Sequence, residues 1–218
     1  DPVNEEGVFQ EAWIRYYQPA DLTGKQLVIA GFFDASLEAS ASSDYKALIT
    51  LGLERREMIF YVLDAFIRKC SLDMAFAAMF ERHQQWNYWL LGIEDNLFQK
   101  LLLRELARIE KERGVLLPSR GITQTINKET RISALSPVME RGQIRFCKGQ
   151  GNQDLLIEQL IYFPSSTVHD DGPDALEGAY RLLTGAPAQG LMDFYREEVE
   201  KMQAAEARRA GQTRVVNG

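Results

Sequence analysis

Gln26-Leu27-Val28-Ile29-Ala30-Gly31-Phe32-Phe33 is a nearly unbroken apolar run that stops at Asp34. A strand with one wet face alternates apolar and polar residues. A run this continuous predicts a strand buried on both faces, at the centre of a sheet with helices above and below it. The small, polar stretch Ala35 to Ser43 follows. Lys46–Leu53 and Glu57–Phe66 are two further strand-like runs, separated by Glu54-Arg55-Arg56. The three together predict an antiparallel meander. Upstream, residues 1–24 are mixed, with aromatics at Trp13, Tyr16 and Tyr17, and read as a lead-in segment that packs on the domain or on something preceding it.

Downstream the period becomes helical. Leu72, Ala75, Phe76, Met79 and Phe80 make one apolar stripe, with Ser71 placed to cap it. Trp89–Ile93 predicts a short strand ending at Glu94, and Phe98, Leu102, Leu106 and Ile109 mark the apolar face of a second helix that Gly114 stops. Val115–Leu117 predicts another strand, and residues 119–127 a polar loop. Lys128–Val138 reads as a short helix ending near Pro137, and Gln143–Lys148 as a strand beside the turn Gly149-Gln150-Gly151. Asp154–Phe163 and Asp174–Leu183 read as helices, and Leu191–Arg209 as a polar, helix-prone tail. The order predicts an α/β fold: a mixed central sheet with helices on its faces.

Bulk properties agree with one soluble globular domain and its appendages. Of 218 residues, 45% are hydrophobic and 26% charged, enough apolar material for a sizeable core. No apolar run approaches the roughly 20 residues that span a bilayer, and no signal peptide is visible. Cys70 and Cys147 stand far apart, outside any CxxC pattern. With only His83 and His169 beside them, a structural zinc site is not expected and a reducing cytoplasmic setting fits. The formal net charge of −6 excludes a protein coated in positive charge, but not a local basic patch.

Acids carry the chemistry. Asp34 ends the first apolar strand and Glu94 the fourth. Functional groups of α/β sheets gather at the carboxyl ends of strands. A third acidic segment, His169-Asp170-Asp171-Gly172-Pro173-Asp174-Ala175-Leu176, opens a late helix. Acids this dense repel one another unless a cation or a basic partner holds them. Asp is also a favoured helix cap and Asp-Gly-Pro ordinary turn chemistry, and each acid has that plainer reading. As a set, Asp34, Glu94, Asp171 and Asp174 fit an oxygen-rich site for two divalent ions such as Mg2+ or Mn2+, the kind that hydrolyses phosphodiesters. Lys128 and Arg131, three apart on a predicted helix, face the same way and are first candidates for contacts to a phosphodiester backbone, which the resemblance described next implies is DNA. Arg141, Arg145 and Lys148, near the later strand, come next.

Four segments together resemble the nuclease domain of the large terminase subunit of tailed bacteriophages. They are Phe33-Asp34-Ala35-Ser36 with Ser43-Asp44-Tyr45; Ile93-Glu94-Asp95-Asn96 with Phe98-Gln99; Lys128-Glu129-Thr130-Arg131-Ile132; and His169 to Leu176. Their order and spacing run across roughly residues 26–180. The resemblance implies a ribonuclease H-like, resolvase-type fold and a metal-dependent endonuclease that cuts concatemeric viral double-stranded DNA during genome packaging. It implies Asp34 as the metal-bridging acid and Glu94 as the second. It places the late acids among Asp170, Asp171 and Asp174, leaving open which of them touch metal.

The implied partners are double-stranded DNA, the portal protein, the small terminase subunit and an ATPase domain of the same polypeptide. The implied setting is the cytoplasm of the infected bacterial host, outside the mature virion. No GxxxxGK[ST] loop is present and the chain starts at Asp1. The expected organisation is therefore a connection over 1–24, a nuclease domain over 25–188 and a helical tail over 189–218. Another ribonuclease H-like nuclease, of resolvase or transposase type, is the nearest alternative. A non-catalytic DNA-binding or assembly module is the second.

Overall fold

The computed structural model describes residues 7–34, 45–94, 99–165 and 168–185. Asp44, Asp95, Asn96, Phe98 and the tail helix expected over Leu191–Arg209 lie outside the described residues. The chain divides into two units, residues 1–183 and 184–218, and the sheet and acid cluster belong to the first.

The apolar run forms β2 (Leu27–Asp34), an inner strand of a mixed sheet that has seven strands among the described residues. β3 (Tyr45–Glu54) and β4 (Ile59–Lys69) complete the antiparallel meander, with Asp34 opposite Ala47 and Ala47 opposite Ile67. On the other side β5 (Leu90–Glu94) runs parallel to β2, pairing Phe33 with Ile93, so the two strands end together at Asp34 and Glu94. The edge strands are β1 (Arg15–Tyr17), paired with β7 (Ile144–Cys147), and β6 (Ser119–Ile122), paired with β5.

Among the described residues, six α-helices cover the two faces. α1 (Leu72–Trp86), capped by the Ser71 side chain accepting from the Met74 N–H at 3.3 Å, and α2 (Gln99–Arg113) pack on one face. Their Phe76, Met79, Leu102 and Leu106 meet Phe33, Leu48, Phe66 and Leu91. α3 (Lys128–Ser133), α4 (Ser136–Glu140), α5 (Gly151–Ile161) and α6 (Asp171–Gly185) pack on the other, against Phe32, Ile49, Leu51, Val62 and Ile67. Full burial of each large apolar side chain contributes about 1.5–3 kcal/mol relative to exposure. Among the described residues, no helix is long and apolar enough to cross a membrane.

Several elements depart from expectation: β1 lies within the segment read as a lead-in, and α5 starts three residues before Asp154. Val115–Leu117 is not a strand. Leu116 is 79% exposed, and the segment is tied to the end of α2 by Val115 N–H to the Glu110 carbonyl and Leu117 N–H to Glu110 Oε1. The strand begins after Pro118, in the stretch expected as a polar loop. The helix expected over Lys128–Val138 is two helices, because Pro137 has no N–H with which to continue the first and sits in the first turn of the second, where none is needed. Conversely, α6 starts three residues earlier than expected. Its Pro173 falls in the first turn, where N–H groups have no intrahelical partner to lose.

Candidate active site

Two glycines bring α6 onto the sheet. A β-carbon at Gly178 would stand 2.4 Å from the Phe32 ring, and one at Gly92 of β5 would stand 2.6 Å from it. The fully buried Phe32 ring is thus held between helix and strand with no space for a methyl group on either. That close approach sets the first turn of α6 at the carboxyl ends of β2 and β5.

There Asp34, Glu94 and Asp174 converge. Each offers a carboxylate oxygen, and the three atoms lie within 4.8 Å of one another. Asp34 is 2% exposed, and its buried Oδ2 has no hydrogen-bond partner. Burial pushes the Asp34 carboxyl well above the usual range; Glu94 and Asp174 push it further, with Lys128 opposing them. Burial also raises the Asp174 carboxyl, against the pull of Lys128 and Arg131. Three acids this close, one with an oxygen buried and unpartnered, form a site that a hard divalent cation satisfies. Such a cation prefers carboxylate oxygens and cancels their repulsion.

Two cations already face the cluster, both from α3. Arg131 is 5% exposed and fixed. Its Nη1 lies 2.6 Å from Asp174 Oδ1, off the direction a hydrogen bond needs, and donates to Glu177 Oε2 at 3.0 Å. Its Nη2 donates to Asp174 Oδ2 at 3.3 Å, and its Nε to the Ile126 carbonyl at 3.2 Å. Lys128 Nζ lies 2.8 Å from Asp170, 3.5 Å from Asp174 and 3.8 Å from Asp34. Burial works against charge on both groups, but the surrounding acids outweigh it and hold both above their ordinary values.

The expected site residues therefore fall into three groups. Asp34, Glu94 and Asp174 come together, with Asp170 beside them on the solvent side. Asp171, one turn ahead of Asp174, is buried and lies 3.8 Å from His169 Nδ1, outside the three-acid group. Lys128 and Arg131, the first candidates for DNA contact, both meet the acids. Arg141, Arg145 and Lys148 lie elsewhere: Arg145 pairs with Tyr61, level with Gly52 and Ile29 in the neighbouring strands. That is five residues below Asp34, roughly 17 Å down the strand. Arg141 donates to the Gln143 side chain, and Lys148 sits over the Tyr16 ring.

Glu177 was not anticipated. It is buried, paired with Arg131 and, at 3.4 Å, with Arg181. The acidic spacing 171, 174, 177 along one helix face was the available signal.

Neither a protein-family model nor any curated protein sequence matches the chain. Solved structures match its fold. The human cytomegalovirus terminase nuclease domain, manganese-soaked and inhibitor-bound, superposes with a TM-score of 0.58 at 14% identity, over 80% of this chain and 94% of that one. The P22 large terminase nuclease domain gives 0.58 at 15% identity, over 82% and 92%. The large terminase of bacteriophage HK97 gives 0.56 at 13% identity, over 79% of this chain and 43% of that one. The chain has the ribonuclease H-like fold of terminase nuclease domains.

Proposed function

We propose that this chain is a metal-dependent endonuclease that hydrolyses phosphodiester bonds of double-stranded DNA, the cutting activity of a viral packaging terminase. The observation that carries this reading is the Asp34, Glu94 and Asp174 convergence at the ends of two parallel strands, with Asp34 Oδ2 buried and unpartnered. The fold supports it, since domains bearing that fold carry the terminase nuclease name.

Asp34, Glu94 and Asp174 would hold the metal, Mg2+ or Mn2+, in a two-ion arrangement. When bound, such ions supply a nucleophilic water and positive charge for the scissile phosphate. The chain's own residues do the rest. Arg131 fixes the Asp174 carboxylate through buried contacts, and Glu177 fixes Arg131. α6 carries Asp174 to the strand ends, and Phe32 against Gly178 sets the height at which it arrives. Asp170 and Lys128 form the solvent-side rim where a DNA backbone would approach. Phosphate contacts carry no sequence information, so weak sequence preference is expected. By the same reading the DNA is a viral concatemer in the cytoplasm of an infected bacterium. An ATPase domain of the same polypeptide, the small terminase subunit and the portal protein would be its partners there, and the enzyme would be absent from the mature virion.

The test is incubation with supercoiled plasmid and Mn2+ or Mg2+, with and without chelator. Nicking and linearisation that the chelator stops are expected. Intact plasmid under both metals would refute the reading and favour a non-catalytic DNA-binding module.

A further inference from the structure

Lys128 and Arg131 meet the same acids in different ways. Arg131 is buried and held by five contacts, one of them to a backbone carbonyl and one, at 3.8 Å, to Glu94. Lys128 is 34% exposed on its side chain. Its one contact of hydrogen-bond length is to Asp170, which is itself 42% exposed. Its Nζ nevertheless stands between Asp170, Asp174 and Asp34, at 2.8, 3.5 and 3.8 Å. An ammonium is a compact point charge on a flexible stem, suited to standing in for an inorganic cation and to leaving again. It leaves Asp34 Oδ2 unpartnered, so it neutralises the cluster without satisfying it.

We propose that Lys128 is a resident counter-cation occupying one of the cluster's two cation positions. Without DNA the chain takes up a single divalent ion. The second enters only when a backbone phosphate offers Lys128 another anion and draws it out of the acids. This inference rests on the metal-site reading above and adds an order of loading to it. Lys128 is on this account a positioning residue, and uptake of the second ion is coupled to DNA engagement.

The coupling is read from metal counting, not cleavage. Mn2+ binding is followed by calorimetry and by the resonance of the free aqueous ion. The proteins are wild type, Lys128→Met, Lys128→Arg and the remote charge control Lys111→Gln. Expected are one bound ion for wild type, Lys128→Arg and Lys111→Gln, and two for Lys128→Met. The first ion should bind Lys128→Met at least about tenfold more tightly, the direction set by removing a unit charge a few ångströms from the ligands. A short phosphorothioate duplex, which keeps the backbone charge and resists hydrolysis, should raise the wild-type count to two. Wild-type stoichiometry and affinity in Lys128→Met, two ions on DNA-free wild type, or no rise in the count with duplex would overturn the inference and leave the metal site standing. No Mn2+ bound by any of the four proteins would overturn the metal site itself.

Discussion

The two faces of the central sheet are built on opposite principles. Under α1 and α2 the packing is mainly apolar, with the buried Thr50–Tyr88 hydrogen bond and the part-buried Arg82–Asp64 pair within it, and on α2 Arg108 pairs with Glu105 and Glu112 in solvent. Under α3 and α6 the apolar core gives way at its upper rim to buried charge. Of the seven buried charged side chains among the described residues, five gather there: Asp34, Arg131, Asp171, Asp174 and Glu177, with Lys46 and Glu54 elsewhere. Burying charge is costly and, unless geometry is excellent, adds nothing to stability. A fold that gathers most of this cost at one rim of one face separates holding together from chemistry. The lesson is that the second face should be improvable in stability by the very changes that disable it.

Asp34→Asn is the strongest challenge to that contrast. Cleavage should fall by about a thousandfold or more, because an amide cannot bridge metal as a carboxylate does. Meanwhile the metal-free protein should melt at a higher temperature, since a repelled buried charge is gone. Plasmid assays and thermal melts in EDTA report both, and a variant that cuts normally, or melts lower, breaks the argument. Next comes Arg131→Met. Removing the most buried partner of the ion cluster leaves Asp174 to Lys128 and Glu177 to the more exposed Arg181, so up to about 3–5 kcal/mol should be lost in denaturant unfolding. A loss under 1 kcal/mol would mean the cluster is already hydrated. Gly178→Ala should cost about 1–3 kcal/mol through the Phe32 clash. It should also reduce cleavage, because α6 relieves that clash by lifting Asp174 away from Asp34. Stability loss with full activity would show that the helix height is not what places the acid.

How much of this was legible beforehand follows from the physics of each part. β2 announced itself because burial on both faces demands an apolar run, and the acids ending β2 and β5 stood out against those runs. β1 and β6 did not. Each is an edge strand bonded on one side, and Ser119-Arg120-Gly121-Ile122 needs no apolar continuity to pair with β5. The apolar Val115–Leu117 beside it was a false signal, consumed by contacts with the end of α2. At the site, spacing put Lys128 and Arg131 on one helix face, which the structure bears out. What spacing cannot carry is what that face meets inside the fold: Asp34, Asp170 and Asp174 for Lys128, and Asp174 and Glu177 for Arg131. Glu177 escaped for the same reason, its partner lying 46 residues away.

pH separates the faces more gently. Asp34 and Asp174 have folded-state values above the roughly 3.9 of an unfolded aspartate. The folded state then holds more protons than the unfolded one over that interval. The stability these groups contribute is fully present below about pH 4 and is lost as pH rises through their raised values. Melting temperature in EDTA should therefore decline over that window in wild type and decline less in Asp34→Asn. Mn2+, which binds the deprotonated carboxylates, should counter the decline. A wild-type curve in EDTA no steeper than that of the variant would remove Asp34 as the titrating group.

The smallest effect belongs to the other face. Arg108 is as well supplied with carboxylates as Arg131, lying between Glu105 and Glu112 on α2. Its pairs are solvated, so water takes over each partner when the side chain is cut back, and little free energy changes hands. Arg108→Ala should leave melting temperature, metal binding and cleavage within error of wild type, and adding salt should not separate the two proteins further. Arg131→Met, with a similar number of contacts, should fail on all of these counts. A clear destabilisation by Arg108→Ala would mean that α2 is held by its surface charges. The division of labour between the faces would then be wrong, because the apolar side would also depend on charge for its stability.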